Sequence, residues 1–186
     1  MRRCVFLDRD GVLNRAVVQS GTPYPPAGLD ELEILPGVAE ACASLREAGF
    51  LLVVVTNQPD VARGSQSRDV VEAINGYLGK RLPIDDFRVC YHDDSDECAC
   101  RKPKPGMLVG AAEDLGIDLS SSFMVGDRLK DIEAGNRAGC KTVLIESPYL
   151  EEGDAEADFR TSSLAKGAKW VIEHQHAGER NDEKVI

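Results

Sequence analysis

Cys4-Val5-Phe6-Leu7-Asp8-Arg9-Asp10-Gly11-Val12-Leu13-Asn14 is the stretch that decides the fold of this 186-residue chain. A short apolar run passes directly into two carboxylates at i and i+2. Strand side chains alternate with period two, so Asp8 and Asp10 leave the strand end on one side of the backbone. Gly11 then lets the chain turn sharply and leaves both carboxylates at the strand's carboxyl end, where open α/β sheets bind their ligands. Two like charges held that close repel unless a metal or a proton intervenes. Taken alone, an acidic turn after a strand fits these residues equally well.

Outward from this stretch the chain alternates strands and helices. Strand candidates are Arg3 to Asp8, Phe50 to Thr56, Phe87 to Tyr91, Phe123 to Gly126 and Lys141 to Ile145. Helical spacing runs from Pro36 to Gly49, Ser67 to Leu82, Gly106 to Leu115 and Asp131 to Ala138. Nearly continuous apolar strands separated by helices predict a parallel sheet covered on both faces. Gly21 to Gly28, with three prolines, reads as a loop above the first strand's end. One α/β domain over residues 1–173 is expected, followed by a polar tail over 174–186.

Composition narrows the classes of partner. The net charge of −10 repels nucleic acid and anionic membrane surfaces, so neither is an expected partner. The longest apolar run, Phe50 to Val55, is too short to span a bilayer. Met1-Arg2-Arg3 is not followed by an apolar segment of the secretory kind, so a cytoplasmic monomer is expected. Three of the six cysteines fall within eleven residues, a pattern of metal binding in a reducing compartment. Cys90, His92, Cys98 and Cys100 supply three thiolates and an imidazole, the inventory of a closed tetrahedral zinc site. With no position left for water, that zinc is structural, and it precedes Arg101 and Lys102 directly. Cys4, Cys42 and Cys140 lie far apart on apolar elements and read as small buried hydrophobes.

The other strand ends carry the remaining chemistry. Thr56-Asn57-Gln58 offers a hydroxyl, an amide and backbone N–H groups that suit phosphate oxygens, although a polar turn fits as well. Arg101-Lys102-Pro103-Lys104-Pro105-Gly106-Met107 holds its cations in a proline-stiffened loop, or is a solvated basic turn. Gly126-Asp127-Arg128-Leu129-Lys130-Asp131 puts Asp127 at a strand tip and Asp131 one helical turn later; helix capping is the competing reading.

Each signal is weak by itself, but their order along one sheet resembles the haloacid dehalogenase superfamily of phosphatases, over residues 3 to about 146. The resemblance implies a Rossmann-like parallel sheet sandwiched by helices, with a minimal cap and, here, a zinc-stapled loop. It implies that Asp8 is the nucleophile forming an aspartyl-phosphate, and that Asp10 is the general acid and base. Magnesium would be bound by the Asp8 side chain, the Asp10 carbonyl and Asp127. Lys102, Thr56 and the N–H of Asn57 would bind the transferring phosphate. Asp131 would orient Lys102 or a metal-bound water.

Cys-x-Cys-Arg-Lys-Pro after the zinc residues is similar to one branch, that of the D-glycero-D-manno-heptose 1,7-bisphosphate phosphatases and the histidinol-phosphate phosphatases. Asn14, the run Thr56 to Gly64 and Gly106-Met107 favour the heptose enzymes and removal of the 7-phosphate. Pro59-Asp60 departs from that pattern, and the short His92-to-Cys98 interval is closer to the histidinol-phosphate enzymes. Either way the implied substrate is a small phosphorylated molecule, most naturally a sugar. Arg101 and Arg128 are candidates to hold a second phosphate, with Arg63 a weaker one and salt bridging the alternative for Arg128.

Overall fold

The computed structural model describes residues 1–149 and 153–175. Its central strand β1 (Cys4–Leu7) is buried on both faces because its side chains alternate between two apolar layers. Val5 and Leu7 enter one layer, Cys4 and Phe6 the other. A hairpin follows, β2 (Val17–Gln19) paired antiparallel with β3 (Thr22–Tyr24). Next come α1 (Val38–Glu47), β4 (Leu51–Asn57), α2 (Arg68–Gly79) and β5 (Asp86–Cys90). The second half contains α3 (Gly106–Leu115), β6 (Phe123–Gly126), α4 (Leu129–Ala138), β7 (Lys141–Ile145), β8 (Phe159–Thr161) and α5 (Leu164–Glu173).

Six strands form one parallel sheet in the order β5-β4-β1-β6-β7-β8. Helices α1, α2 and α5 bury their apolar stripes on the face of Val5, Leu7, Leu52 and Val54. Helices α3 and α4 cover the face of Phe6, Val53, Val55 and Met124. Each of these large side chains, fully removed from water, contributes roughly 1.5–3 kcal/mol. From β1 the chain builds outward through β4 and β5, then crosses to β6 on the other side of β1. That reversal opens a crevice beyond the carboxyl end of β1, the usual ligand position of such sheets. No helix among the described residues is long and apolar enough to cross a membrane.

The α/β architecture expected from the sequence is the one observed, and three local features differ. Thr22–Tyr24, expected to be loop, is a strand of the hairpin; its Pro23 is tolerated because both strands of a two-stranded sheet are edges. β8 is three residues long, too short to show a period. Helix α5 does carry a signal, Leu164, Ala168 and Val171 at helical spacing, with the Ser163 hydroxyl accepting from the Lys166 N–H at its start. The expected tail begins at His174, which stacks on Trp170, and Gln175, which accepts from Arg3; residues 176–186 lie outside the described set.

Candidate active site

Backbone pairing places the reactive carboxylates. The Asp8 N–H donates to the Val125 carbonyl at 2.9 Å, so Asp8 is the first residue past β1 and lies beside the tip of β6. Asp127 follows Gly126 at that tip, and Thr56 sits one strand away near the end of β4. Lys102 reaches in from the loop before α3, and its ammonium is almost fully buried. Its Nζ lies 2.7 Å from Asp8 Oδ1, 2.7 Å from Asp131 Oδ1 and 2.8 Å from the Val55 carbonyl. Asp131 Oδ2 accepts from the Arg128 N–H at 3.0 Å, which fixes the carboxylate in the first turn of α4. Both oxygens of Asp131 are therefore engaged, one by Lys102 and one by the helix start.

Electrostatics in this cluster are those of a cation site. Asp8, Asp127 and Asp131 each offer an oxygen within 4.8 Å of the others. Three ionised carboxylates against the single ammonium of Lys102 leave a formal charge of −2 in a buried volume. Burial pushes the Asp8 carboxyl up to about 6, with Lys102 opposing the shift and Asp131 adding to it. Burial, then the neighbouring Asp8 and Asp131, holds the Asp127 carboxyl well above the usual carboxylate range. Desolvation works against the Lys102 ammonium, but Asp131 and Asp8 more than offset it, so its pKa lies above the ordinary lysine value. Asp127 Oδ1 is buried with no hydrogen-bond partner among the described residues. An orphaned carboxylate oxygen beside a second carboxylate fits a hard divalent cation such as magnesium, which takes oxygen ligands.

Asp10 is held differently. Its Oδ1 accepts from Asn14 Nδ2 at 2.9 Å, and its Oδ2 from Gln58 Nε2 at 2.8 Å and Arg9 Nη2 at 3.0 Å. Arg9 is wholly buried, and its Nη1 donates to Asn75 Oδ1 of α2 at 3.0 Å. Gln58 Nε2 also donates to Thr56 Oγ1 at 2.8 Å, so one amide joins the ends of β1 and β4. A carboxylate gripped by three side chains has one orientation, as a proton-transfer group requires.

The cysteine loop closes as a tetrahedron. Cys90 Sγ lies 3.6 Å from His92 Nδ1 and 3.7 Å from Cys98 Sγ. Cys100 Sγ lies 3.3 Å from Cys90 Sγ, 3.3 Å from His92 Nδ1 and 3.5 Å from Cys98 Sγ. Ligands about 2.3 Å from a central zinc would stand about 3.8 Å apart, so the donor set fits that ion with slight expansion. The loop is tied to the sheet, because the Gln58 N–H donates to the Cys90 carbonyl at 2.7 Å. It is tied to α3 as well: a Cβ on Gly106 would come within 2.3 Å of the Ala99 carbonyl oxygen, so only glycine lets the helix start so close. Lys104 Nζ donates to the Cys98 carbonyl at 2.8 Å and draws the loop together.

A cavity of about 410 Å³ opens above these groups and is lined by Asp8, Asp10, Thr56, Asn57, Lys102 and Asp127. Arg101 and Arg128 line it too, as do Arg63 and Lys130. Arg101 is ion-paired to Asp94 at 2.6 Å, and Arg63 pairs with Asp93. Burial, then the positive charge of Arg128, lowers Lys130 to about 8. Asn57 does more than line the cavity, since its side chain bonds the Lys102 main chain. The structure thus brings Asp8, Asp10, Thr56, Asn57, Arg101, Lys102, Asp127, Arg128 and Asp131 around one crevice, with the cysteine–histidine quartet behind Lys102.

The sequence did not single out Arg9, Gln58 or Asn75 as site residues. Their signal was present only as polarity at positions that prove fully or nearly buried, and burial is not readable from a single sequence. Tyr149, whose hydroxyl reaches Asp127, lies outside every motif.

A family model for haloacid dehalogenase-like hydrolases matches residues 24–139. The chain is 38% identical over 185 residues to the D-glycero-beta-D-manno-heptose-1,7-bisphosphate 7-phosphatase of Pasteurella multocida, covering 92% of this chain and 97% of that one. It is 39% identical over 182 residues to the enzyme of the same name from Yersinia pestis, covering 90% and 94%. Among solved structures it resembles the D,D-heptose 1,7-bisphosphate phosphatase of B. bronchiseptica complexed with magnesium and phosphate. That match has a TM-score of 0.80 and 31% identity, over 92% of this chain and 99% of that one. The family model spans more than half of the chain and takes in the ends of β4 and β6, and the Pasteurella relative aligns over nine-tenths of it, so the chain belongs to the haloacid dehalogenase-like hydrolase family.

Proposed function

We propose that this protein is a magnesium-dependent phosphomonoester hydrolase that removes the 7-phosphate from D-glycero-D-manno-heptose 1,7-bisphosphate. The observation that carries the reaction class is the placement of Asp8 in the lining of the cavity, 2.7 Å from the buried Lys102 ammonium and beside Asp127. Support for the substrate comes from relatives of that name, aligned over nine-tenths of the chain at 38% and 39% identity.

The residues divide the work. Lys102 holds Asp8 Oδ1, which fixes the carboxylate and leaves its other oxygen to attack phosphorus. The P–O bond to the sugar breaks, Asp10 gives its proton to the departing alkoxide, and an aspartyl-phosphate remains on Asp8. Asp10 then takes a proton from water, whose oxygen attacks phosphorus and releases inorganic phosphate with the Asp8 carboxylate restored. The Thr56 hydroxyl and the Lys102 ammonium steady the transferring oxygens, where positioning and charge supply most of the rate enhancement. Asp8, the Asp10 carbonyl and Asp127 would hold magnesium, which when bound would supply positive charge to that same phosphoryl group. Cys90, His92, Cys98 and Cys100 would hold zinc, which when bound would keep the Lys102 loop in shape. Arg101 and Arg128, on the cavity wall, bind the phosphate that does not react.

Phosphate release from the heptose bisphosphate and from histidinol phosphate, measured side by side with magnesium and with EDTA, tests the reading. The expected result is magnesium-dependent turnover with kcat/KM at least tenfold higher for the bisphosphate. A preference for histidinol phosphate would overturn the substrate assignment, and EDTA-resistant turnover would overturn the metal assignment.

A further inference from the structure

Tyr149 belongs to no motif, lies past the end of β7, and yet reaches the centre of the site. Its hydroxyl donates to Asp127 Oδ2 at 2.6 Å, within the short range of a charge-assisted O–H···O bond. Nearby, the Ser147 hydroxyl lies 3.5 Å from the Asp127 carbonyl oxygen, so the segment 146–149 folds back over the tip of β6.

Two further observations give that contact a purpose. Asp127 Oδ1 is buried without a partner among the described residues, so the carboxylate is gripped at one oxygen and open at the other. Gly11, in the turn that carries Asp10, has φ +94°, and a Cβ there would stand 1.9 Å from Asp127 Oδ2 and 2.6 Å from the Tyr149 hydroxyl oxygen. The bare backbone of that turn therefore packs directly on the Tyr149–Asp127 pair. Any side chain at position 11 would drive the two apart or push the turn away.

A phenol suits this position better than a cation would. Lysine or arginine would cancel the negative charge that a divalent ion needs, whereas a neutral O–H fixes the carboxylate's rotation and leaves its charge in place. We infer that Tyr149 is a positioning residue, which holds the Asp127 carboxylate by Oδ2 so that Oδ1 is presented, beside Asp8, to the divalent cation. This rests on the reading of Asp8 and Asp127 as metal ligands. Outer partners of metal-ligating carboxylates set affinity, and their loss typically weakens binding about 10- to 100-fold.

The experiment compares the full-length wild-type protein with Tyr149→Phe and Tyr149→Leu. Manganese binding is followed by loss of the free-ion EPR signal, and phosphate release is measured against magnesium concentration. Both variants are expected to bind manganese at least about tenfold more weakly, and to need correspondingly more magnesium for half-maximal turnover. For Tyr149→Phe, kcat at saturating magnesium should stay within about twofold of wild type, with an unchanged melting temperature. Wild-type manganese affinity in Tyr149→Phe would overturn the inference. So would a loss seen in Tyr149→Leu alone, because ring packing would then explain it. A wild-type protein that bound no manganese would instead defeat the ligand assignment beneath it, so the two failures are distinguishable.

Discussion

Asn57 and the main chain of Lys102 grip one another through two hydrogen bonds: Asn57 Nδ2 donates to the Lys102 carbonyl at 3.0 Å, and the Lys102 N–H donates to Asn57 Oδ1 at 3.1 Å. The pair locks the cationic loop onto the end of β4 independently of any metal in the cysteine quartet. Two net hydrogen bonds are worth roughly 1–3 kcal/mol together. Replacement of Asn57 by Ala should lower kcat about tenfold or more, with a much smaller change in KM. Steady-state kinetics on a purified, folded variant checks this, and a wild-type kcat would show that the clamp does not set the position of Lys102.

The loop of Cys90, His92, Cys98 and Cys100 provides the second hold on Lys102. Cys98→Ser should lower the melting temperature by several degrees, since a change of about 1 kcal/mol shifts a protein of this size by roughly 2–4 °C. It should also lower turnover several-fold. The loss should be greater in an Asn57→Ala background than in wild type, because the second hold is then missing. Zinc content measured beside the melting curve checks this, and a zinc-free Cys98→Ser protein with full stability and full activity would contradict it.

Lys102 itself neutralises buried carboxylates that have no other described cation within ion-pair distance of Asp8 or Asp131. Breaking a buried ion pair by removing one partner costs about 3–5 kcal/mol. Lys102→Met should therefore unfold at markedly lower urea in the absence of magnesium, and saturating magnesium should recover part of the loss. Urea curves with and without the metal measure both effects. A variant as stable as wild type without magnesium would contradict the claim that Lys102 offsets the charge of this buried cluster.

Gln58 ties Asp10 to Thr56 through one side-chain amide. Gln58→Leu keeps the volume close and removes both bonds, so Asp10 gains freedom while Arg9 and Asn14 still hold it. Turnover should fall about tenfold with little change in melting temperature. Unchanged turnover would show that Arg9 and Asn14 alone are enough to orient the acid and base.

The sequence disclosed the site where chemistry demands unusual residues in a fixed order. Asp8, Asp10, Thr56, Lys102 and Asp127 each stand at the end of a legible strand or in a proline-marked loop, and the structure gathers them at one crevice. The quartet Cys90, His92, Cys98 and Cys100 was legible because few other roles account for three thiols and an imidazole so close together. Residues that orient these groups were not legible. Arg9 looked like any surface arginine between two aspartates, yet it is wholly buried under Asp10. Tyr149 bonds Asp127 from 22 residues away, beyond α4 and β7, in a segment that carries no motif. β8 and the hairpin strand Thr22–Tyr24 escaped for a related reason: three residues establish no period, and tertiary pairing decides them.

The central claim is that the Asp8 carboxylate is the attacking group. Magnesium-dependent phosphate release by wild type and by Asp8→Asn, on the same phosphomonoester and at equal protein concentration, tests it most directly. The amide keeps the size of the side chain and removes its nucleophilic oxygen, so turnover should fall by about a thousandfold or more. Equal rates for the two proteins would contradict the account.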